Sequence, residues 1–162
     1  YLNRGIAHQV LHHYIEAEKD YQFILNHDSE NSSALYNLGN IRSSEGDWSQ
    51  AKMLYEKATI VNPSFAIARS SNALTSYQLG DIEKAEFELR NLIRKYPMFA
   101  DARAALTALL WRKGISGEAE SNWNAAFGLD DRYSNKDWLA DIRNWPPKPT
   151  NDLMNFLSLK RS

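Results

Sequence analysis

The chain has 162 residues, 43% hydrophobic and 24% charged, which is typical of one globular domain of ordinary size rather than a disordered or fibrous protein. Nineteen Lys and Arg residues against twenty Asp and Glu residues leave a formal net charge of -1, so no basic surface for nucleic acid is indicated. Cysteine is absent, which excludes disulfides and sulfur-based zinc sites, and no apolar run approaches the roughly 20 residues of a transmembrane helix.

Helical patterns follow one another from the first residue to about residue 128. Apolar residues at helical spacing, separated by short polar turns, predict eight helices. Their expected positions are about 1–11, 14–27, 32–44, 48–60, 66–78, 82–95, 100–112 and 116–128.

Alanine recurs along these helices with a constant 34-residue period, at Ala17, Ala51, Ala85 and Ala119. Four positions after each Ala stands a bulky side chain, namely Tyr21, Tyr55, Leu89 or Trp123. Turn residues recur as well, at Gly46-Asp47, Gly80-Asp81, Gly114, Pro63 and Pro97. A small residue where two helices cross, a left-handed Gly after the first helix and a Pro after the second are what repeated helix pairs require.

This pattern resembles the tetratricopeptide repeat (TPR), a 34-residue unit of two helices. The resemblance implies an all-α fold, a right-handed α-solenoid of four TPR helix pairs with C-terminal capping helices. We place the four-repeat array at residues 1–131, with the first repeat truncated at its start, and the capping helices at 132–162. The departures from the pattern are His12, Ser29, Thr107 and Asp131.

Residues 132–162, called the tail below, leave the 34-residue register. One helix is predicted to open at Ser134 or Asn135 and to end at Pro146 and Pro147. Its apolar face carries Trp138, Leu139, Ile142 and Trp145. A second short helix is predicted from Thr150 or Asn151, with Leu153, Phe156 and Leu157 on one face. The tail is interpreted as a cap over the last repeat, and Trp145-Pro146-Pro147 is also a candidate docking ledge for a partner.

The tail is similar to the endings of certain TPR proteins of cyanobacteria and plastids. The residues that carry this similarity are Asp131, Arg132, Tyr133, Trp138, Arg143, Trp145, Pro146, Pro147, Leu153, Phe156 and Leu157. The resemblance implies a photosynthetic setting, where TPR proteins assist assembly or accompany thylakoid complexes.

Neither a catalytic constellation nor a cofactor motif is recognisable in the sequence. Gly-rich phosphate loops, nucleophile elbows and His-Glu-x-x-His are all missing. His8, His12 and His13 are the one grouping that suggests a metal, and they are interpreted as surface residues at a helix end. We therefore predict no enzyme, no cofactor and no metal site. A metal-dependent activity through His8 and His12 is the alternative from another class.

In TPR arrays the first helix of each pair lines the concave groove. The resemblance therefore places these residues at groove positions: Leu2, Ile6, Tyr36, Asn40, Ser70, Leu74, Tyr77, Ala108 and Trp111. Leu2, Ile6 and Leu74 are equally well explained by packing between repeats. Tyr36, Tyr77 and Trp111, together with Asn40, are the predicted partner contacts, because aromatic rings offer a large contact area at a small entropic cost.

One TPR function, the clamping of a C-terminal carboxylate by chaperone-binding domains, can be compared residue by residue. Asn40 occupies one clamp position, but Tyr36 stands where Lys is required, and Ser71, Asp101 and Ala105 occupy the others. Starting one repeat earlier fails too, because Leu2 and Ile6 replace Lys and Asn. Asp101 is expected to repel a carboxylate, so a carboxylate clamp is disfavoured.

The sequence thus predicts a non-catalytic scaffold that binds or helps assemble other proteins, with subunits of a larger complex as partners. A photosynthetic complex is the leading context, which implies a chloroplast location on the soluble side of the thylakoid. The alternative is a peptide- or helix-binding adaptor or co-chaperone without a carboxylate clamp. No nucleic-acid partner and no membrane span in this chain are expected.

Overall fold

The computed structural model describes residues 1–160. Within them the chain forms ten α-helices, one short 3₁₀ helix at Asp131–Ser134 and no strand, so the all-α prediction is confirmed. The helices are α1 (Leu2–Val10), α2 (Tyr14–His27), α3 (Ser32–Ser44), α4 (Trp48–Val61), α5 (Ala66–Gln78), α6 (Ile82–Lys95), α7 (Ala100–Arg112), α8 (Ser116–Leu129), α9 (Lys136–Asp141) and α10 (Pro147–Lys160). Helices α1 to α8 begin and end within one residue of their predicted positions.

A left-handed residue follows the first helix of every pair. The backbone φ angles are +59° at His12, +77° at Gly46, +92° at Gly80 and +78° at Gly114. These four positions recur with the same period as the alanines. The turn conformation is therefore the same in all four pairs, and His12 adopts it although it carries a Cβ.

Aspartate side chains cap the starts of α4 and α6. The carboxylate of Asp47 accepts a hydrogen bond from the Gln50 N–H, and that of Asp81 accepts one from the Lys84 N–H. Each bond satisfies one of the four N–H groups that a helix start leaves without an intrahelical partner.

The four repeated alanines are all fully buried. Helices α3 and α4 approach each other closely at Gly39, because a Cβ built on Gly39 would lie 2.7 Å from the Tyr55 ring. Gly5 meets the Tyr21 ring in the same way, at 2.6 Å. Hence the 34-residue spacing preserves close contacts between helices, while the residues between them vary freely.

The chain divides into two compact units, Tyr1–Asn72 and a second that begins at Ala73, with α5 running across the division. In unit 1 the helix pairs α1/α2 and α3/α4 share a core. It is built around Ala17, Tyr21, Ala34, Leu38 and Ile41. An ion pair from Arg42 on α3 to Glu18 on α2 joins the two pairs at the surface.

In unit 2, α6, α7 and α8 pack together, and α10 packs against α7. The Arg90 guanidinium on α6 binds both oxygens of Glu118 on α8, with one N–H···O distance of 3.1 Å. Lys113, just after α7, binds Glu86 on α6. Helices of successive pairs are thus joined by charged side chains as well as by the core.

The tail differs from its prediction in two places. Helix α9 ends at Asp141, well before Pro146, and Ile142, expected on the buried face, is exposed. The last helix begins at Pro147 rather than at Thr150 or Asn151. Proline has a fixed φ and no N–H, so it suits the first position of a helix, and Pro147 starts α10 instead of stopping α9.

Candidate partner-binding surfaces

Tyr36 lies on α3 in unit 1 and is half-buried. Its ring centroid is 5.1 Å from that of Phe65 and 5.7 Å from that of Tyr55. Two aromatic neighbours therefore hold this ring in a fixed orientation, which lowers the entropic cost of any contact that it makes with a partner.

Asn40, one turn further along α3, is buried. Its side-chain oxygen accepts a hydrogen bond of 2.7 Å from the Tyr55 hydroxyl. This bond ties α3 to α4 and engages the amide oxygen inside the unit. A role for Asn40 in partner binding stays a prediction.

Helix α1 exposes two apolar side chains, Ile6 at a groove position and Val10 one turn further along. Ile6 is 40% exposed and Val10 72% exposed, and they stand one full repeat before Asn40 and Ser44. Leu2 instead packs against the unit 1 core, so for Leu2 the packing alternative is confirmed, and Leu74 is buried. Val10 was not among the predicted groove residues, although it lies four positions after Ile6 on the same helix.

The two aromatic groove residues of unit 2 lie beneath α10. Tyr77 is buried, and its hydroxyl donates to the Asp152 carboxylate on α10. The half-buried Trp111 meets the Phe156 ring edge to face, with centroids 5.8 Å apart. Arg112 donates to the same Asp152 oxygen at 3.3 Å. In unit 2, therefore, the chain's own last helix covers the groove positions.

Burial gives Tyr77 a definite protonation state. Loss of solvent and, secondarily, the bond to Asp152 raise the pKa of the Tyr77 hydroxyl far above its ordinary value. The hydroxyl consequently remains a neutral donor to the carboxylate over the physiological pH range.

Asp101, at the start of α7, collects three hydrogen bonds from the tail. Its Oδ1 accepts from the Tyr133 hydroxyl at 3.0 Å, the Arg143 Nε at 2.9 Å and the Trp145 Nε1 at 3.0 Å. We call these four residues the Asp101 cluster. Asp101 is fully buried, so the expectation that it would face and repel a ligand carboxylate in the groove is wrong.

The Asp101 cluster also locates the predicted docking ledge. Trp145 and Pro146 are buried, and Pro147 is exposed at the start of α10. Burial, followed by the nearby Asp101 charge, raises the pKa of the Tyr133 hydroxyl well above its usual range. The inner face of the ledge thus holds the tail to α7, and partner binding by Trp145, Pro146 and Pro147 stays a prediction.

The helical pairs and their turns agree with known proteins. Residues 33–63 match the tetratricopeptide repeat family. The solved structure of MamA is similar to this chain with a TM-score of 0.68 and 17% identity over 97% of this chain and 96% of that one. YrrB, described as a TPR protein with an unusual peptide-binding site, gives a TM-score of 0.68 and 18% identity over 100% and 91%. The chain has the TPR fold.

No protein with a curated description matches the sequence. TPR repeats are protein-interaction modules, so the prediction of a protein-binding scaffold is supported at that level. Among residues 1–160 no helix has both the length and the apolar character needed to cross a bilayer.

Three histidines of the first TPR pair, His8, His12 and His13, lie close together at the end of α1. The His8 and His13 rings are 5.9 Å apart, and the His12 Nδ1 lies 2.8 Å from the Tyr14 hydroxyl. Within the described part of the chain, no three His, Asp or Glu side chains converge into a group that could hold a metal ion.

Each unit of the TPR fold also has a cleft between the second helices of successive pairs. In unit 1 a cleft of about 370 Å³ has leucines in its lining, among them Leu25 and Leu38. In unit 2 a cleft of about 330 Å³ is lined by Ile93 and Leu106, two repeats later, but also by three arginines. These arginines are Arg90, Arg94 and Arg103. The apolar floor thus recurs, whereas the arginine-rich rim is particular to unit 2.

Proposed function

We propose that this protein is a non-catalytic scaffold that binds protein partners through the groove face of unit 1. The observation that carries this proposal is the exposure of Ile6 and Val10 on α1, in the same unit as the half-buried Tyr36 on α3. Exposed apolar side chains, together with an aromatic ring whose orientation is fixed, are typical of surfaces that bind a protein partner.

Two further observations support this assignment. In unit 2 the first-helix residues Tyr77 and Trp111 are covered by α10, so apolar side chains do pack on this face of the TPR helices. YrrB, which shares the fold, is described as having a peptide-binding site, and this supports peptide or protein binding by the present chain.

The proposal can be tested by affinity capture with a matched pair of variants. Val10 and Ile60 are 72% and 73% exposed, but Val10 lies on a first helix and Ile60 on a second helix. We expect Val10→Asp to abolish capture of the partner, because a charge would be desolvated in the interface, and Ile60→Asp to leave capture unchanged. Equal capture by both variants would show that the groove face of unit 1 is not used.

We further propose that the partners are subunits of a larger complex, and that this complex is photosynthetic. The support is the similarity of the tail to the endings of cyanobacterial and plastid TPR proteins, including Tyr133, Arg143 and Trp145. The corresponding location is the chloroplast thylakoid, on its soluble side. Fractionation of solubilised thylakoids tests it, since the protein should comigrate with a discrete complex, and migration of the protein alone would refute it.

The adaptor alternative is favoured by one feature, the helix that lies on α7 in unit 2. A reversible adaptor would release its partner when short helical peptides compete, whereas a large docking surface would not respond to them. Competition during the capture experiment therefore separates the two functions.

A further inference from the structure

Within unit 2, α10 packs against α7 as a helical peptide would bind in a groove. From α10, Asp152 reaches Tyr77 and Arg112, and one turn later Phe156 meets Trp111. Leu153 and Leu157 are buried beside them. An acidic residue followed at +1, +4 and +5 by apolar residues describes an amphipathic helix that lies in a groove.

The receiving surface on α7 is shaped for close approach by a helix. Its groove face carries three alanines, Ala104, Ala105 and Ala108, which are all fully buried. Short side chains let two helix axes come close together, while Trp111 and Arg112 at the end of α7 supply an aromatic contact and a positive charge.

The start of α10 is recognised as well. The backbone N–H of Lys148, within the first turn, donates to the side-chain oxygen of Gln78 on α5 at 2.8 Å. An N–H in the first turn has no intrahelical partner, so the groove provides a cap for an incoming helix. The groove thus binds the start of a helix through Gln78. It binds an acidic residue one turn later through Tyr77 and Arg112.

The segment of the tail before α10 has contacts of its own with α7. Trp145 is bound through its Nε1 to Asp101, and Tyr133 and Arg143 bind the same oxygen. Asn144, between Arg143 and Trp145, has a left-handed φ of +54°, and α10 begins only at Pro147. The Asp101 cluster thus attaches the preceding segment to α7 through contacts that do not involve α10.

We propose that α10 is an intramolecular ligand of this groove, and that an amphipathic helix of a protein partner with the same pattern displaces it. The pattern is an acidic residue with a Leu, an aromatic residue and a Leu at +1, +4 and +5. This inference rests on the proposed function in that it assumes protein partners, but it assigns a second surface with its own recognition chemistry.

The experiment uses the full chain and a fluorescent peptide with the sequence of residues 147–160. In the double variant Leu153→Ala/Phe156→Ala, the weakened α10 leaves the groove more often. Because the apparent affinity scales with the fraction of open groove, we expect this variant to bind the peptide at least about tenfold more tightly than the unmodified chain. Leu159→Ala is the matched control, because its side chain is 58% exposed, and it should bind like the unmodified chain.

Specificity is tested from both sides of the contact. A peptide in which Asp152→Asn replaces the carboxylate should bind the double variant about tenfold more weakly, as expected for loss of a charge-assisted hydrogen bond. Adding Arg112→Ala to the double variant should weaken binding of the unmodified peptide similarly. Equal binding of the two peptides, or no binding to a double variant that keeps its helical circular dichroism, would overturn the proposal.

Hydrogen exchange of the unmodified chain provides a second test that needs no variant. A displaceable α10 should open in a partial unfolding step, so its amides should exchange faster than those of α7 and those next to the Asp101 cluster. Equal protection of α10 and α7 would show a fixed cap. These measurements involve no cellular partner, so they can fail while the capture experiment succeeds, and the reverse.

Discussion

Single residues in this chain adopt conformations or ionisation states that the repeat imposes on them. His12 is the clearest case, because it has the left-handed φ of +59° while Gly46, Gly80 and Gly114 occupy the equivalent position in the other three pairs. A Cβ in this region is disfavoured by about 1 kcal/mol, and the bond between the His12 and Tyr14 side chains is exposed to solvent. The first turn is therefore strained in a way that the other three are not.

We expect His12→Gly to raise the free energy of unfolding by about 1 kcal/mol, since Gly reaches this conformation without a steric cost. Urea denaturation would measure the change. The neighbouring His13→Gly serves as the control, because the φ of His13 is -84°, and it should bring no gain. A similar rise in both variants would mean that removal of a histidine, rather than relief of the turn, is responsible.

Buried tyrosines make the free energy of unfolding depend on pH in the alkaline range. Loss of solvent raises the pKa of Tyr21 to about 12. The unfolded chain loses this proton near pH 10 and the folded chain only near pH 12, so above about pH 10 the folded state binds more protons and stability falls as pH rises. We expect Tyr21→Phe to reduce this fall between about pH 10 and 12 in urea denaturation. An unchanged slope would show that Tyr21 does not contribute to it.

Between elements, contacts at glycine positions decide how closely helices pack. A Cβ on Gly39 would lie 2.7 Å from the Tyr55 ring, whereas one on Gly128 in α8 meets nothing within 4 Å. Gly39→Ala should destabilise the protein by about 1–3 kcal/mol through overpacking, and Gly128→Ala should stabilise it by about 0.5–1 kcal/mol through helix propensity. Thermal unfolding of both variants measures these two changes. A lower stability of Gly128→Ala would contradict the expectation that a Cβ at Gly128 meets no neighbouring atom.

The attachment of the tail to α7 depends on one carboxylate. Asp101→Asn would remove the negative charge beside the largely buried Arg143 guanidinium, and we expect a loss of about 3 kcal/mol or more in urea denaturation. Asp130→Asn is the matched control in the same region, because Asp130 pairs with the exposed Arg132 and its loss should cost less than about 1 kcal/mol. Comparable losses in both variants would mean that burial of the Asp101–Arg143 ion pair does not increase its effect on the free energy of unfolding.

At this scale the 34-residue spacing predicts the helices well and the tail poorly. The turns at Gly46, Gly80 and Gly114 are local, so each helix end can be inferred from its own neighbours in the sequence. Pro147 was misinterpreted because Pro both follows helix ends and occupies first positions, and the choice depends on what the helix packs against. The buried role of Asp101 depends on residues 32 to 44 positions away, and no local pattern indicates such a pairing.

For the whole molecule, the sequence identified the aromatic residues of the groove face but not what lies over them. Tyr36, Tyr77 and Trp111 all lie on first helices of the repeat, yet α10 covers the latter two within unit 2. Periodicity cannot reveal this covering, because the helix responsible comes from outside the repeat. The exposed Val10 could have been inferred from the sequence, because it lies four positions after Ile6 and therefore on the same face of α1.

The Asp101 cluster has a consequence for synthesis of the chain on the ribosome. Asp101 leaves the ribosome 44 residues before Trp145, and Tyr77 leaves it 75 residues before Asp152. Contacts within a helix pair form as soon as that pair emerges, but a buried face that waits for distant residues stays open to solvent in the meantime. The alanine face of α7 therefore stays exposed on the nascent chain until the tail has been synthesised.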